Sequence, residues 1–291
     1  MPAPSQRLAG IGYYSVAFFF FSSCDAMIKL SASAVPVFEV AWFRYFGQFV
    51  AVLLIFRVWK NPGLLMPKRW GLQVIRAVIL MIGTVLLCTA LQYLQLAQTV
   101  SISFAAPFVI AAVSGPLLGE WCGPRRWAAI ILGFIGVLIV VQPFDGEVHW
   151  AMLLTIAAMF CFSAYFLMTR ALVQSDSNAS MLMMSSLVGS ILLAPPAFAD
   201  FQWPDQTFEV FGLVSMGFLA LTAHWLLTES YRFASASFLA PFMYQQIIWM
   251  IIYGYLIFGD TPSIHTLIGA TLVICSGIYL LLRERKQLQQ P

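Results

Sequence analysis

Ten long apolar segments follow one another along the 291-residue chain, with short polar loops between them. A helix needs about 20 mostly apolar residues to cross a hydrocarbon core about 30 Å thick, where its backbone must satisfy its own hydrogen bonds. Segments of this kind lie at 8–30, 37–59, 70–92, 97–118, 126–142, 150–171, 180–199, 208–230, 237–258 and 265–282. They lack the alternation of barrel strands. The sequence therefore predicts an all-α integral membrane protein with ten transmembrane helices.

The positive charges of the loops predict the orientation of the helices. With both termini in the cytoplasm, the inner side receives 12 of the 15 Lys and Arg residues, whereas the outer loops receive acidic residues such as Asp145 and Asp200. Such an excess of cations on one side is typical of cytoplasmic loops. The sequence thus predicts cytoplasmic termini, with the loops 143–149 and 200–207 outside.

A weak internal repetition divides the predicted helices into two groups of five. The matching positions are about 140 residues apart, as in the pairs Gly119 and Gly259, Glu120 and Asp260, Gly136 and Gly277, Lys29 and Arg170, and Tyr93 and Tyr231. Because five is odd, the two halves, 1–145 and 146–291, are expected to cross the membrane in opposite directions. Inverted repeats of this kind place a substrate site near the midplane between the halves.

Prolines interrupt two of the predicted helices at places where such a site needs them. Pro107 and Pro116 fall in the fourth segment and Pro241 in the ninth. A proline inside a helix frees a carbonyl group and kinks the axis. Prolines are also more frequent in membrane helices in general, so Pro116 fits a packing role equally well.

Four charges near the start of the chain lie inside or against apolar segments, namely Asp25, Lys29, Glu39 and Arg44. Only 9% of the residues are charged, and a charge within the hydrocarbon is costly unless it has a partner or a function. We expect Arg44 to pair with Asp25 or Glu39, either as a structural lock or as a substrate clamp. Asp25 is the candidate proton-coupling group, because burial disfavours its charged form. Lys29, and Arg76 in the third segment, are expected to reach toward the membrane interface.

These motifs resemble those of EamA-type carriers of the drug/metabolite transporter superfamily. The resemblance rests on Asp25, Lys29, Pro36, Glu39 and Arg44, on a run that ends in Glu120, and on the run from Ala240 to Asp260. It implies a central cavity between the halves, lined by the first, third, fourth, sixth, eighth and ninth helices. The substrate-binding residues that it implies, besides Asp25, are Ser101, Ser103, Tyr165, His224, Tyr244 and Gln245. A role for His224 in binding and a purely structural one both remain open at this point.

The resulting prediction is a secondary transporter of small organic metabolites in the bacterial inner membrane, acting as an exporter of an amino-acid-like, zwitterionic or amphipathic compound. An importer of the riboflavin or S-adenosylmethionine type is the alternative, and a channel fits less well because the polar residues occur in patches. No nucleophile, base or metal set suggests an enzyme, and no phosphate-binding loop suggests ATP. We expect no cofactor, metal or nucleic-acid partner, protons as the coupling ion, and a monomer or homodimer.

Overall fold

The structure, a computed structural model, describes residues 4–32, 34–60, 63, 66–94, 96–141, 149–204 and 207–259, with scattered helical residues between 264 and 282. Within these ranges the regular structure is helical throughout. The helices are α1 Pro4–Ser31, α2 Val37–Ile55, α3 Trp70–Tyr93, α4 Leu96–Ser103, α5 Ala106–Leu118, α6 Pro124–Val141, α7 Ala151–Leu172, α8 Asn178–Ala199, α9 Thr207–Phe233, α10 Ala236–Leu239 and α11 Gln246–Phe258. A 3-10 helix, Ala240–Gln245, joins α10 to α11.

Seven helical stretches of the described chain are long and apolar enough to cross a membrane, which confirms a multi-pass helical protein. The last of them, Ala236–Phe258, combines α10, the 3-10 helix and α11. The predicted segment 97–118 is instead two short helices, α4 and α5, and the predicted segment 265–282 is described only in parts. The count of ten transmembrane helices therefore stays a prediction.

The breaks in the fourth and ninth predicted segments correspond to each other. Pro107 lies at the start of α5, directly after the break between α4 and α5, and Pro241 lies at the start of the 3-10 helix. Proline fits these positions because the first turn of a helix needs no N–H group. Both α5 and α11 then run for 13 residues and end at a glycine with positive φ, 69° at Gly119 and 71° at Gly259. Glycine adopts this left-handed conformation without steric penalty, so both helices end at a defined point.

The long helices pack in reciprocal pairs. The most extensive contact joins α1 to α9, and the next joins α3 to α7. If α1 corresponds to α7 and α3 corresponds to α9 in the predicted repeat, the α1–α9 contact and the α7–α3 contact are equivalent. The contacts of α2 with α9 and of α8 with α3 are related in the same way, and α2 also packs directly against α8.

An ion pair ties these helices together near the end of the molecule where α5, α7 and α9 terminate. The Arg170 Nε atom donates to Glu120 Oε1 at 2.6 Å, and the guanidinium also donates to the carbonyl of Tyr231. The other carboxylate oxygen of Glu120 accepts from the Ala236 backbone N–H at 2.8 Å. Glu120 thereby joins the end of α5 to α7 and to the start of α10.

Candidate functional site

A cavity of about 80 Å³ lies inside the helix bundle. Residues of α1, α2, α3, α4, α7, α9, α11 and the 3-10 helix line it. Much of its wall is apolar and aromatic, and its polar side chains are Asp25, Arg44, Thr84, Thr99, Ser103, His224 and Gln246. A largely apolar cavity with a few converging polar groups is the usual form of a small-molecule site.

Arg44 is held on this wall by neutral partners. One terminal nitrogen of the guanidinium lies 3.0 Å from His224 Nε2, and the other donates to Thr84 Oγ1 at 3.4 Å. The Tyr45 hydroxyl contacts the same Thr84 oxygen at 2.9 Å, and Thr84 in turn donates to the Leu80 carbonyl at 2.9 Å. The side chain of Arg44 is therefore fixed by α3 and α9 as well as by its own helix.

The contacts of His224 fix the tautomer of its ring. A guanidinium group carries only donors, so Nε2 must accept the bond from Arg44. The ring is then neutral with its proton on Nδ1, which lies 3.0 Å from the Tyr165 hydroxyl oxygen. The ring also packs edge-to-face against Phe21 and Tyr165, at centroid distances of 4.9 and 5.4 Å. His224 thus connects Arg44 of the cavity wall to Tyr165, which lies behind it.

Asp25 lies on the same cavity wall and accepts a hydrogen bond from Gln246 Nε2 at 3.1 Å. The expected ion pair between Arg44 and an acidic residue is not formed, since no carboxylate among the described residues pairs with Arg44. The reason is that His224 and Thr84 occupy the positions of its partners, while Gln246 holds Asp25. The two charges share a cavity without touching.

Glu39 and Lys29 have other surroundings. Glu39 Oε2 accepts from the Gln202 backbone N–H at 3.0 Å, which ties the loop after α8 to the start of α2. The Lys29 ammonium lies 5.6 Å from the ring centroid of Phe258 at the end of α11. Of the four predicted charges, the structure thus brings Asp25 and Arg44 to the cavity.

Of the predicted neutral site residues, too, some line the cavity and others do not. Ser103 and His224 line the cavity, and Tyr165 lies one hydrogen bond behind it. The side chain of Ser101 lies outside the described residues. Tyr244 packs against Gly133 of α6 and lies 5.6 Å from the Phe104 ring. In the run of two glutamines that follows Tyr244, Gln246 rather than the predicted Gln245 reaches the cavity.

The prediction that Arg76 reaches toward the membrane interface is wrong. Arg76 is only 1% exposed, and it donates to Thr169 Oγ1, Gln73 Oε1, Ser185 Oγ and the Met181 carbonyl. Its guanidinium carbon also lies 5.1 Å from the centre of the Tyr165 ring. Four oxygen acceptors take the place of interfacial water, so the cation is stable inside the helix bundle.

Replacing each of two buried tyrosines with phenylalanine is expected to give different results. The Tyr165 hydroxyl bonds His224, whereas the buried Tyr244 hydroxyl has no hydrogen-bond partner among the described residues. Tyr165→Phe leaves a polar atom of His224 without its partner and is expected to destabilise the fold by about 1–3 kcal/mol. Tyr244→Phe, the matched control, should be neutral or slightly stabilising. Thermal unfolding in detergent measures both, and equal losses would contradict the assignment of the His224 bond.

The chain resembles known transport proteins in sequence and a solved structure in fold. The model of the EamA-like transporter family matches it twice, over residues 8–142 and 149–283. The chain belongs to the EamA-like transporter family. It is thus a membrane transport protein and not an enzyme.

Three curated relatives show the range of this EamA-like family. An S-adenosylmethionine uptake transporter of Rickettsia bellii is 27% identical over 97% of this chain and 96% of its own length. A riboflavin transporter of Vibrio cholerae is 29% identical over 82% of this chain and 81% of its own, and a pseudopaline exporter of Pseudomonas aeruginosa is 22% identical over 94% and 95%. A solved crystal structure superposes with a TM-score of 0.79 at 18% identity, covering 97% of this chain and 98% of that one, which supports the fold.

Proposed function

We propose that this EamA-like protein is a secondary transporter that exports a small zwitterionic or amphipathic metabolite by alternating access. The observation that carries the proposal is the cavity with Asp25 and Arg44 on its wall. Charged groups inside a membrane protein mark substrate or ion pathways. A cavity with a largely apolar wall and a few polar side chains suits a carrier, whereas a channel needs a continuous polar path.

Two inverted halves, 1–145 and 146–291, form the moving parts in this proposal. The reciprocal packing of α1 with α9 and of α7 with α3 supports this division, as do the matching ends of α5 and α11 and the two separate family matches. In inverted-repeat transporters one half moves against the other around a central site. The cationic loops favour a bacterial inner membrane orientation with both termini in the cytoplasm.

An importer of the S-adenosylmethionine or riboflavin type is the second candidate function. It is favoured by the name of one relative, an S-adenosylmethionine uptake transporter, and the riboflavin transporter supplies the second substrate type. The pseudopaline exporter favours the first candidate. Transport by purified protein in liposomes of known orientation distinguishes them, because the candidate functions differ in the side from which the substrate must be supplied.

Asp25 is the proposed proton-coupling residue, and an isosteric variant tests this role. We expect transport by the wild-type protein to respond to a pH gradient, and the response to disappear in Asp25→Asn, because the amide cannot carry the proton between the two sides. Asp200→Asn is the matched control, since Asp200 is exposed beyond the end of α8. A proton response that survives unchanged in Asp25→Asn would remove this residue from the coupling mechanism.

A further inference from the structure

Asp25 and Arg44 present opposite charges to one cavity from two different helices, α1 and α2. A direct ion pair is the simplest way to lower the cost of two charges inside a membrane protein. Here neutral side chains hold each charge instead, Gln246 on one side and His224 with Thr84 on the other. Both charges therefore line the same cavity without forming an ion pair with each other.

Both charged groups retain hydrogen-bonding capacity beyond these contacts. A guanidinium carries five N–H donors; the bonds of Arg44 to His224 and Thr84 use one donor on each of its two terminal nitrogens, and the guanidinium also contacts the Cys24 thiol. A carboxylate offers about four lone pairs, and Gln246 occupies one on Asp25 Oδ2. A ligand that carries both an anionic and a cationic group would bind the remaining N–H donors of Arg44 and the remaining lone pairs of Asp25, and it would neutralise both charges.

We propose that the cavity binds the zwitterionic head of an α-amino acid or of an amino-acid derivative. Arg44 takes the carboxylate, since its planar fork matches carboxylate geometry. Asp25 takes the ammonium group. This inference rests on the proposed transport function and assigns the substrate class for that same site.

The rest of the wall defines the side chain of the substrate. Phe18, Phe21, Phe162 and Phe166 line the cavity beside the two charges. Phe18 meets the rings of Phe21 and Phe166 at centroid distances of 5.6 and 6.4 Å. Aromatic walls bind apolar and planar groups well. The cavity has a volume of about 80 Å³, whereas typical small-molecule pockets have volumes of about 300–1,000 Å³. A substrate with a bulky side chain therefore requires the cavity to widen.

The same chemistry distinguishes S-adenosylmethionine from riboflavin, the compounds named for two of the relatives. S-adenosylmethionine contains an ammonium and a carboxylate on one carbon, whereas riboflavin contains neither. The two charges on the cavity wall therefore favour the first compound over the second for this chain.

A binding screen of the full-length protein in lipid nanodiscs tests the proposal. The probes are the twenty common amino acids, S-adenosylmethionine and riboflavin, with the increase in melting temperature as the readout. We expect one or more of the α-amino acid compounds to stabilise the wild-type protein and riboflavin not to do so. If riboflavin alone stabilises it, the inference is overturned and the transport function still stands. If no probe stabilises it, the amino-acid assignment is overturned, and liposome assays with other metabolites decide the transport function separately.

Analogues of the strongest amino-acid probe that lack either the carboxylate or the ammonium group test which protein residue binds which charge. The amine without its carboxylate and the acid without its ammonium are each expected to bind at least tenfold more weakly than the zwitterion. In Asp25→Asn, the zwitterion should lose at least tenfold in affinity and bind no better than the acid, whereas the Asp200→Asn control keeps the wild-type order. Unchanged discrimination in Asp25→Asn would contradict the role of this carboxylate even if the cavity binds the compound.

Discussion

Arg44→Ala is expected to destabilise the fold by about 3 kcal/mol or more and to abolish transport. The substitution removes hydrogen bonds to His224 and Thr84, and a bond to a charged group contributes about 1.5–3 kcal/mol. It also removes the positive charge that shares the cavity with Asp25, so that an acidic group stays in the membrane without a compensating cation. The measurement is thermal unfolding of the purified protein, followed by transport in liposomes.

Arg57→Ala serves as the matched control for this experiment, because Arg57 is exposed after the end of α2. A surface substitution of this kind usually changes stability by no more than about 0.5 kcal/mol. Arg44→Lys adds a second comparison, since lysine keeps the charge and loses the planar fork. If Arg44→Ala unfolds at the same temperature as Arg57→Ala, the hydrogen bonds of Arg44 to His224 and Thr84 contribute little to the stability of the fold, and this prediction is wrong.

The sequence predicted the helical segments well because their signal is local. The second segment was placed at 37–59, and α2 spans Val37–Ile55. The breaks near Pro107 and Pro241 were predictable because proline frees a carbonyl group and kinks a helix, whereas Pro116, which was predicted with them, lies inside α5 without a break. Apolar length and proline positions are properties of one stretch of chain, so no knowledge of the neighbouring helices is needed to use them.

The partners of the buried charges were not predictable in the same way. Arg76 lies near one end of its segment, and its depth alone suggested contact with the interface. Its acceptors include Thr169, Ser185 and the Met181 carbonyl, which lie about a hundred residues further along the chain on α7 and α8. Hydrophobicity patterns report how deep a residue lies and give no information on which helix faces it.

The prediction of Gln245 instead of Gln246 has a local cause. The residues Ala240–Gln245 form a 3-10 helix, which has about three residues per turn instead of 3.6. The resemblance pointed to this polar run and gave no information on how the 3-10 helix turns it, so it implied the neighbouring glutamine. The structure places Gln246 at the start of α11, where its amide reaches Asp25.

The crossing of α2 and α9 determines whether the Arg44–His224 contact can form. A β-carbon added to Gly217 would lie 2.4–2.6 Å from the backbone of Gly47 and Gln48, too close for any real contact. The two helix backbones therefore touch directly, as small residues allow in membrane proteins. Arg44 lies one turn before Gly47 on α2, and His224 lies two turns after Gly217 on α9.

Gly217→Ala is accordingly expected to destabilise the fold by about 1–3 kcal/mol and to reduce transport. The backbone of α2 cannot yield as a flexible side chain can, so the two helices must move apart, which is the cost of overpacking. The separation also draws His224 away from Arg44, now 3.0 Å apart. Gly12→Ala is the matched control on α1, where the added carbon meets nothing within 4 Å and alanine favours the helix by about 1 kcal/mol. The same substitution should thus lower the melting temperature at position 217 and raise it at position 12. Equal melting temperatures for the two variants would show that α2 and α9 do not meet at these glycines.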